Sequence, residues 1–175
     1  MTLPAHLAAA LNRQADWLLP TLARLVFAAV LLGYFWASAL TKFDGPFTPS
    51  MGAYAQIFPK AFEAVGYDAS QMGLWHWLVV MAGGYAEFLL PALIILGLLT
   101  RLAALGMIGF VLVQSLTDIW GHGAAAGALF DRASDSVILD QRALWLLLFA
   151  VLLCKGAGPL SADRFLGVEP TRLAA

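Results

Sequence analysis

The sequence has few charged residues and a single cysteine, and each scarcity excludes a class of protein. Only 12% of the 175 residues are Asp, Glu, Lys or Arg, against about 25% in a soluble domain. Since 61% of the residues are hydrophobic and the mean hydropathy is +0.80, the composition fits a multi-pass membrane protein. The lone Cys154 excludes an intrachain disulfide and a Cys-x-x-Cys redox centre.

Sequence motifs for cofactors, metals and nucleic acids are also missing. The chain contains no Rossmann fingerprint, no phosphate loop and no zinc-type spacing of Cys and His. Ligand sets for haem or iron–sulfur clusters are lacking too, so we expect no intrinsic cofactor and no metal site. The net charge is −1 and no basic run occurs, so we expect no nucleic-acid partner.

Four apolar runs predict an all-α integral membrane protein, a bundle of four transmembrane helices. About 20 apolar residues cross the hydrocarbon core of a bilayer. Because only Thr100-Arg101 separates the second run from the third, these two helices should be antiparallel neighbours. The four runs cover residues 18–40, 74–99, 102–120 and 143–154.

Lysine and arginine predict the orientation of this bundle. The runs divide the chain into an N-terminal segment 1–17, a membrane domain 18–155 and a C-terminal tail 156–175. We expect both termini in the cytoplasm, because that side then carries more basic residues than the other. The basic residues on the cytoplasmic side would be Arg13, Arg24, Arg101, Lys155, Arg164 and Arg172.

Two outer loops follow from this topology, residues 43–73 and residues 121–137. Within the first loop, Met51–Val65 has a helical composition that Pro59 interrupts. The pattern fits a short helix lying on the membrane surface and an ordinary packed loop equally well. The second loop is rich in Gly and Ala and then acidic, which is typical of an exposed segment.

The second apolar run carries an acid at its centre. Glu87 lies at the midpoint of residues 74–99, and an ionised carboxylate at that depth costs roughly 2.5–3.5 kcal/mol on insertion scales. Pro91 leaves the carbonyl four residues earlier, that of Glu87 itself, without its helical donor. We therefore predict that Glu87 is a catalytic, proton-exchanging group. The structural alternative is a protonated carboxyl that hydrogen-bonds a neighbouring helix.

Further polar residues align on the first three predicted helices, all between the midplane and the outer end. Side chains that are three, four, seven or eleven residues apart share one helix face. Gathered inside a bundle, these faces predict a polar wedge that opens outward and is closed below by Glu87. The predicted ligand-binding residues are Tyr34, Ser38, Lys42, His76, Gln114 and Asp118.

The rise of 1.5 Å per helical residue sets the expected depths of these side chains. Gln114 should lie about 9 Å above Glu87, so we expect no direct contact between them. Lys42 and Asp118 lie at similar depths and are the expected ion pair. Structural alternatives are packing for Tyr34, hydrogen bonding between helices for Gln114, a plain interfacial pair for Lys42 and Asp118, and interfacial solvation for His76.

Several segments together resemble the DoxX family of small membrane proteins. They are Lys42, the acid Glu87 with the following GLLTRLAALG (Gly97–Gly106), the segment Asp140–Trp145, and the closing GAGPLSADRFL (Gly156–Leu166). The resemblance covers about Leu22 to Leu166, and Lys42, Glu87, Arg101, Ser161 and Asp163 match recurrent family residues. We interpret Ser161 and Asp163 as caps of a short terminal helix.

The resemblance implies a four-helix protein of the cell (inner) membrane, possessing a function linked to quinone. One hypothesis is a subunit of a quinone-linked oxidoreductase system in sulfur, stress or metal-related redox chemistry, with a redox partner protein. The other is a non-enzymatic membrane anchor or small-solute carrier with an outward-facing vestibule. Expected partners are the lipid bilayer and a redox protein or a second copy of the chain, and enzymatic turnover stays open.

Overall fold

The computed structural model describes residues 3–168, so Arg172 lies outside the described range. In chain order the elements are α1 (Leu3–Phe27), a π-helical turn (Ala28–Leu32), α2 (Gly33–Leu40), β1 (Phe43–Gly45), β2 (Thr48–Pro49), α3 (Met51–Ile57), α4 (Pro59–Ala64), a 3-10 turn (Ala69–Gln71), α5 (Leu74–Leu96), α6 (Thr100–Leu116), a second π-helical turn (Thr117–Gly121), α7 (Leu139–Lys155) and α8 (Ala162–Phe165). The two short strands pair antiparallel as a hairpin.

Three of the described helices are long and apolar enough to cross a membrane. They are the continuous helices Pro4–Leu40, Leu74–Leu96 and Thr100–Gly121. The fourth predicted helix, α7, has 17 residues and is therefore about 25 Å long, shorter than a hydrocarbon core of about 30 Å. The predicted all-α membrane class is confirmed, with three helices rather than four meeting the length requirement.

Two helix boundaries differ from those expected from the sequence. α1 begins at Leu3 and runs unbroken into the first span, because residues 3–17 are rich in the strong helix formers Ala and Leu. The second and third spans are separated at Gly97–Leu99, whereas Thr100-Arg101 belongs to α6. Gly97 adopts a left-handed conformation with φ of +66°, which ends α5 in the way glycine commonly ends helices.

An apolar core holds α1, α2, α5, α6 and α7 together. Its first-helix stripe recurs every four residues at Ala23, Phe27, Leu31 and Phe35, all at most 4% exposed. A four-residue repeat drifts by about 40° per step on a helix of 3.6 residues per turn. The wider π-helical turn at residues 28–32 offsets part of that drift, so the stripe stays on the core. Its partners are Ile94, Ala103, Ala104, Met107, Val111, Phe149 and Leu152.

The α5–α6 turn and residues 156–168 lie together and form what we call the tail end of the bundle. Asp163 joins these two segments. Its side chain is buried, and its two oxygens accept hydrogen bonds from the backbone N–H of Leu99 at 2.6 Å and Thr100 at 2.8 Å. Asp163 therefore caps α6 rather than the terminal helix α8. The predicted cap of α8 is confirmed for Ser161, which accepts from the backbone N–H of Arg164.

Arg24 of α1 binds backbone carbonyls at the same end of the bundle. Its guanidinium donates to the carbonyl oxygens of Ile94 at 2.9 Å and Ile95 at 2.5 Å, in the last turn of α5, where carbonyls lack helical donors. It also donates to Ala157 at 3.0 Å and Leu160 at 2.5 Å. One cation therefore ties the first helix, the second span and the C-terminal segment together.

The opposite end of the bundle, which we call the loop end, consists of residues 41–73 and 122–138. Within it, α3 and α4 form a cover over the bundle. The two helices are separated at Phe58, immediately before Pro59, so the predicted interruption is confirmed. Tyr54 and Phe62 are buried against Val80 of α5, which makes this segment a packed helical cover. Burial raises the pKa of the Tyr54 phenol above its ordinary value.

We expect Asp163→Ala to destabilise the protein by about 2–4 kcal/mol, because the buried N–H of Thr100 and the partly buried N–H of Leu99 lose a charged acceptor. Thermal or denaturant unfolding of the purified protein in detergent measures this loss. The control is Asp135→Ala, at an exposed acid, where we expect a change within about 0.5 kcal/mol. Equal stability of the two variants would contradict the capping role.

Candidate functional site

A cavity of about 650 Å³ lies between α2, α5 and α6, beneath the cover formed by α3. Most of its wall is apolar and comes from α5 and α6, including Val79, Ala82, Leu90, Phe110 and Val113. The polar residues of the wall are Tyr34, Ser38, Lys42, Gln56, Glu87, Gln114, Thr117, Asp118 and His122. The structure thus brings together every predicted site residue except His76.

The charged centre of this cavity is a buried ion pair. The Glu87 side chain is 3% exposed and the Lys42 side chain 7%, with 3.5 Å between Lys42 Nζ and Glu87 Oε2. The carboxylate therefore faces protein and not lipid, as predicted from its position in the apolar run. In low-dielectric surroundings an ion pair needs further hydrogen bonds to offset desolvation.

Lys42 has those further bonds. Its Nζ donates to Ser38 Oγ at 3.0 Å and to Gln56 Oε1 at 2.5 Å. The ammonium also lies 3.4 Å from the Ser38 carbonyl oxygen, so the side chain folds back along α2 after the helix has ended. The Lys42 ammonium thereby reaches the depth of the Glu87 carboxylate, although the helical rise alone places Glu87 well below residue 42.

Gly84 makes this approach sterically feasible. A Cβ at Gly84 would lie 2.5 Å from the Phe43 ring and 3.2 Å from the Lys42 Cβ. Because glycine has no side chain, the start of the loop can pack directly on α5, one turn before Glu87. The neighbouring Gly83 has no such restriction, since a Cβ there would meet Ile57 at an ordinary 3.7 Å.

The predicted ion pair between Lys42 and Asp118 is wrong. Asp118 pairs instead with Arg142 of α7, whose guanidinium also donates to Ser115 Oγ at 2.9 Å. Arg142 is buried although it lies at the start of α7. The sequence carried no signal for this pairing, because α7 packs beside α6 only in the assembled bundle.

Tyr34 and Gln114 form the second polar contact of the cavity. Gln114 Nε2 donates to Tyr34 Oη at 2.7 Å, and the Tyr34 ring packs on Trp145 at 5.5 Å between centroids. Gln114 thus bonds Tyr34 and not Glu87, in agreement with the expected difference in depth. Because the Tyr34 oxygen acts as the acceptor in this bond, its O–H remains able to donate into the cavity.

His76 does not line the cavity. Its ring lies edge-on to Phe58 at 4.8 Å, under the helical cover, so the prediction of a ligand-binding role has no geometric support. His122 lies at the cavity instead, with Nε2 2.9 Å from the backbone oxygen of Gln56. Gln56 and His122 were missed because Gln56 lies on the short helix α3 and His122 follows the second π-helical turn. The helical spacing within the spans does not indicate how these segments pack on the bundle.

The α5 backbone near Pro91 receives a donor from another helix. The Trp36 indole N–H donates to the carbonyl of Phe88 at 3.1 Å, and the two rings stack at 5.1 Å. Phe88 is the residue next to Glu87, so the partner falls one position from the carbonyl predicted. Trp36 of α2 thereby holds α5 beside the ion pair.

Comparison with protein families agrees with this architecture. The family model described as DoxX matches residues 19–120, which is more than half of the chain. The protein belongs to the DoxX family. The matched region contains α2, α5, α6, Lys42, Glu87 and Gln114, and thus most of the cavity. Searches of curated proteins and of solved structures found no match to this DoxX protein.

Removing the cation of the ion pair tests its contribution to this DoxX protein. We expect Lys42→Met to lower the free energy of unfolding by about 3–5 kcal/mol, because Glu87 is left buried without a counter-charge. Adding Glu87→Gln should recover part of the loss, with a coupling energy of about 0.5–3 kcal/mol. The measurement is a double-mutant cycle of unfolding in detergent.

The control is Lys60→Met, at an exposed lysine of α4, which should change stability by less than about 0.5 kcal/mol. Strict additivity of Lys42→Met and Glu87→Gln would show that the two side chains do not interact.

Proposed function

We propose that this DoxX protein is a membrane subunit of a quinone-linked oxidoreductase system, with the quinone ring held in the cavity. The observation that carries the proposal is a buried, charge-neutralised carboxylate in the wall of a large apolar cavity. Ligand sites of this kind are mostly apolar, with few polar groups that orient the ligand. Sulfur, stress or metal-related redox chemistry is the proposed context.

The residues present fit a quinone ring. Leu90, Phe110 and Val113 supply apolar surface, and the Tyr34 hydroxyl supplies a donor for a carbonyl oxygen. When bound, a quinone supplies two-electron and two-proton chemistry that the chain lacks by itself. The electrons come from a partner protein or a small donor at the loop end.

Glu87 is the proposed proton-exchanging group. Its carboxylate can accept or release a proton beside the bound ring, while Lys42 and Ser38 hold its position. Lys42 contacts the Gln56 side chain, and the Gln56 backbone contacts His122. These contacts lead from the ion pair to the loop end, which is therefore the proposed side of proton exchange.

The proposed membrane arrangement places the loop end outside the cytoplasm and both termini inside, in the cell (inner) membrane. The fourth span is α7, which is about 25 Å long and which a locally thinner bilayer would accommodate. It packs beside α6 and α1, where Arg142 binds Asp118 and Arg101 donates to the Cys154 carbonyl at 2.9 Å. These two contacts lie at opposite ends of α7 and support its proposed assignment as a span.

A non-enzymatic function as an anchor or small-solute carrier is the second candidate. The polar end of the cavity near Asp118 and His122 favours it, because these side chains form a vestibule towards the loop end. The apolar core and the Arg24 contacts close the tail end. A carrier would therefore need a large rearrangement to open that end, which ranks this function second.

Bound quinone tests the first proposal. We expect the protein purified in mild detergent to retain quinone and to support quinone reduction with a reduced sulfur donor and its partner. Glu87→Gln should lower the rate about 100-fold or more, the range for losing a general acid or base. Glu63→Gln, at an exposed acid of α4, is the control, and unfolding in detergent verifies that both variants fold.

Absence of bound quinone together with equal rates for Glu87→Gln and the control would refute the proposal. Uptake by reconstituted vesicles that depends on Glu87 would favour the carrier instead.

Protease accessibility tests the topology. In intact spheroplasts we expect cleavage at a protease site inserted at Ala125, in the exposed loop before α7. A site appended to either terminus should be cut only after the membrane is opened, since both termini lie inside. Cleavage of one terminus in the intact spheroplasts would show an odd number of spans.

A further inference from the structure

Two buried oxygen atoms at the cavity lack a hydrogen-bond donor among the residues that the structure describes. They are Oε2 of Glu87 and Oε1 of Gln114, and both residues line the cavity. Both atoms are acceptors. A buried acceptor without a donor is costly, so a ligand that supplies a donor regains that cost when it binds.

The charges at the cavity are already balanced within the protein. Glu87 is paired with Lys42, and Asp118 is paired with Arg142. His122 is engaged through Nε2 with a backbone oxygen. An anion placed here would meet two carboxylates and would have to compete for cations that are already bonded. The cavity therefore favours a neutral occupant.

The unpaired oxygens, the balanced charges and the apolar wall define one ligand class. We infer that the cavity binds a neutral amphiphile through its hydrogen-bond donors, namely a hydroquinone or a related phenol, in preference to the oxidised quinone. The inference rests on the proposed function for the location of the ligand and adds which redox form the site selects. Sulfur oxyanions do not occupy this cavity.

The geometry also indicates how the two acceptors meet the ligand. The bond from Gln114 Nε2 to Tyr34 fixes the orientation of the Gln114 amide, and with it the position of the amide oxygen. Glu87 Oε2 lies 3.5 Å from the Lys42 ammonium, at the long limit for a hydrogen bond, so a ligand hydroxyl can donate to this oxygen while the ion pair is kept.

Selection of the reduced form has a measurable consequence. A donor that satisfies a buried acceptor is expected to tighten binding about tenfold. Tenfold tighter binding of the hydroquinone raises the midpoint potential of the bound two-electron couple by about 30 mV. The site would then favour bound quinone as an electron acceptor.

The test compares a decyl-hydroquinone with the matching decylquinone, both titrated anaerobically onto the purified full-length protein in detergent. We expect the hydroquinone to bind about tenfold more tightly. In Gln114→Leu, which removes one acceptor, this ratio should fall to about threefold or less. Val113→Ala, which alters only the apolar wall, should keep the wild-type ratio. Thiosulfate should not compete with either ligand.

The possible outcomes separate this inference from the proposed function. Equal affinities, or a preference for the quinone, would overturn the inference and leave quinone binding standing. A preference for the quinone would also mean that the Gln114 amide is turned around, with its NH₂ group towards the ligand. Competition by thiosulfate would overturn the neutral-ligand claim. Binding of neither form would refute both proposals.

Discussion

The bundle depends on one constraint, that every charge and helix end removed from water must find its partner within the protein. The Lys42–Glu87 pair shows the constraint most directly, because both side chains are nearly fully buried and 3.5 Å apart. Lys42 reaches Glu87 only because the loop after α2 turns back and Gly84 leaves room for it. The placement of the covering loop and the charge balance of the cavity both follow from this pair.

The tail end and the cavity differ in what lies beside their polar groups. At the tail end, Asp163 caps α6 and Arg24 binds the last carbonyls of α5, and the buried Thr100 hydroxyl oxygen has no hydrogen-bond partner among the described residues. In the cavity wall, Gln114 and Glu87 each keep an acceptor atom without a donor. The acceptors of Gln114 and Glu87 lie beside a space of about 650 Å³, and that space is the physical basis of the proposed function.

Family membership and the site carry different weight. The match to DoxX establishes a membrane protein of that family, but a shared fold hosts many functions. The quinone-linked proposal stands on the cavity, its apolar wall and the buried acid. Trp36 and Pro91 support that arrangement, since the indole supplies a donor to the α5 backbone beside Glu87. Arg142 extends the site to α7 by neutralising Asp118.

Hydropathy and helical spacing alone predicted the membrane class, the buried acid at position 87 and the cavity residues that α2 and α6 supply, because burial in lipid leaves a strong periodic signal. The same reasoning paired Lys42 with Asp118, which is wrong, and included His76, which lies outside the cavity. Which charged side chains pair depends on how the backbone turns after a helix ends and on which helices become neighbours. The local sequence pattern predicts neither. Only the tertiary structure therefore placed Lys42 against Glu87, Arg142 against Asp118, and Gln56 and His122 at the cavity.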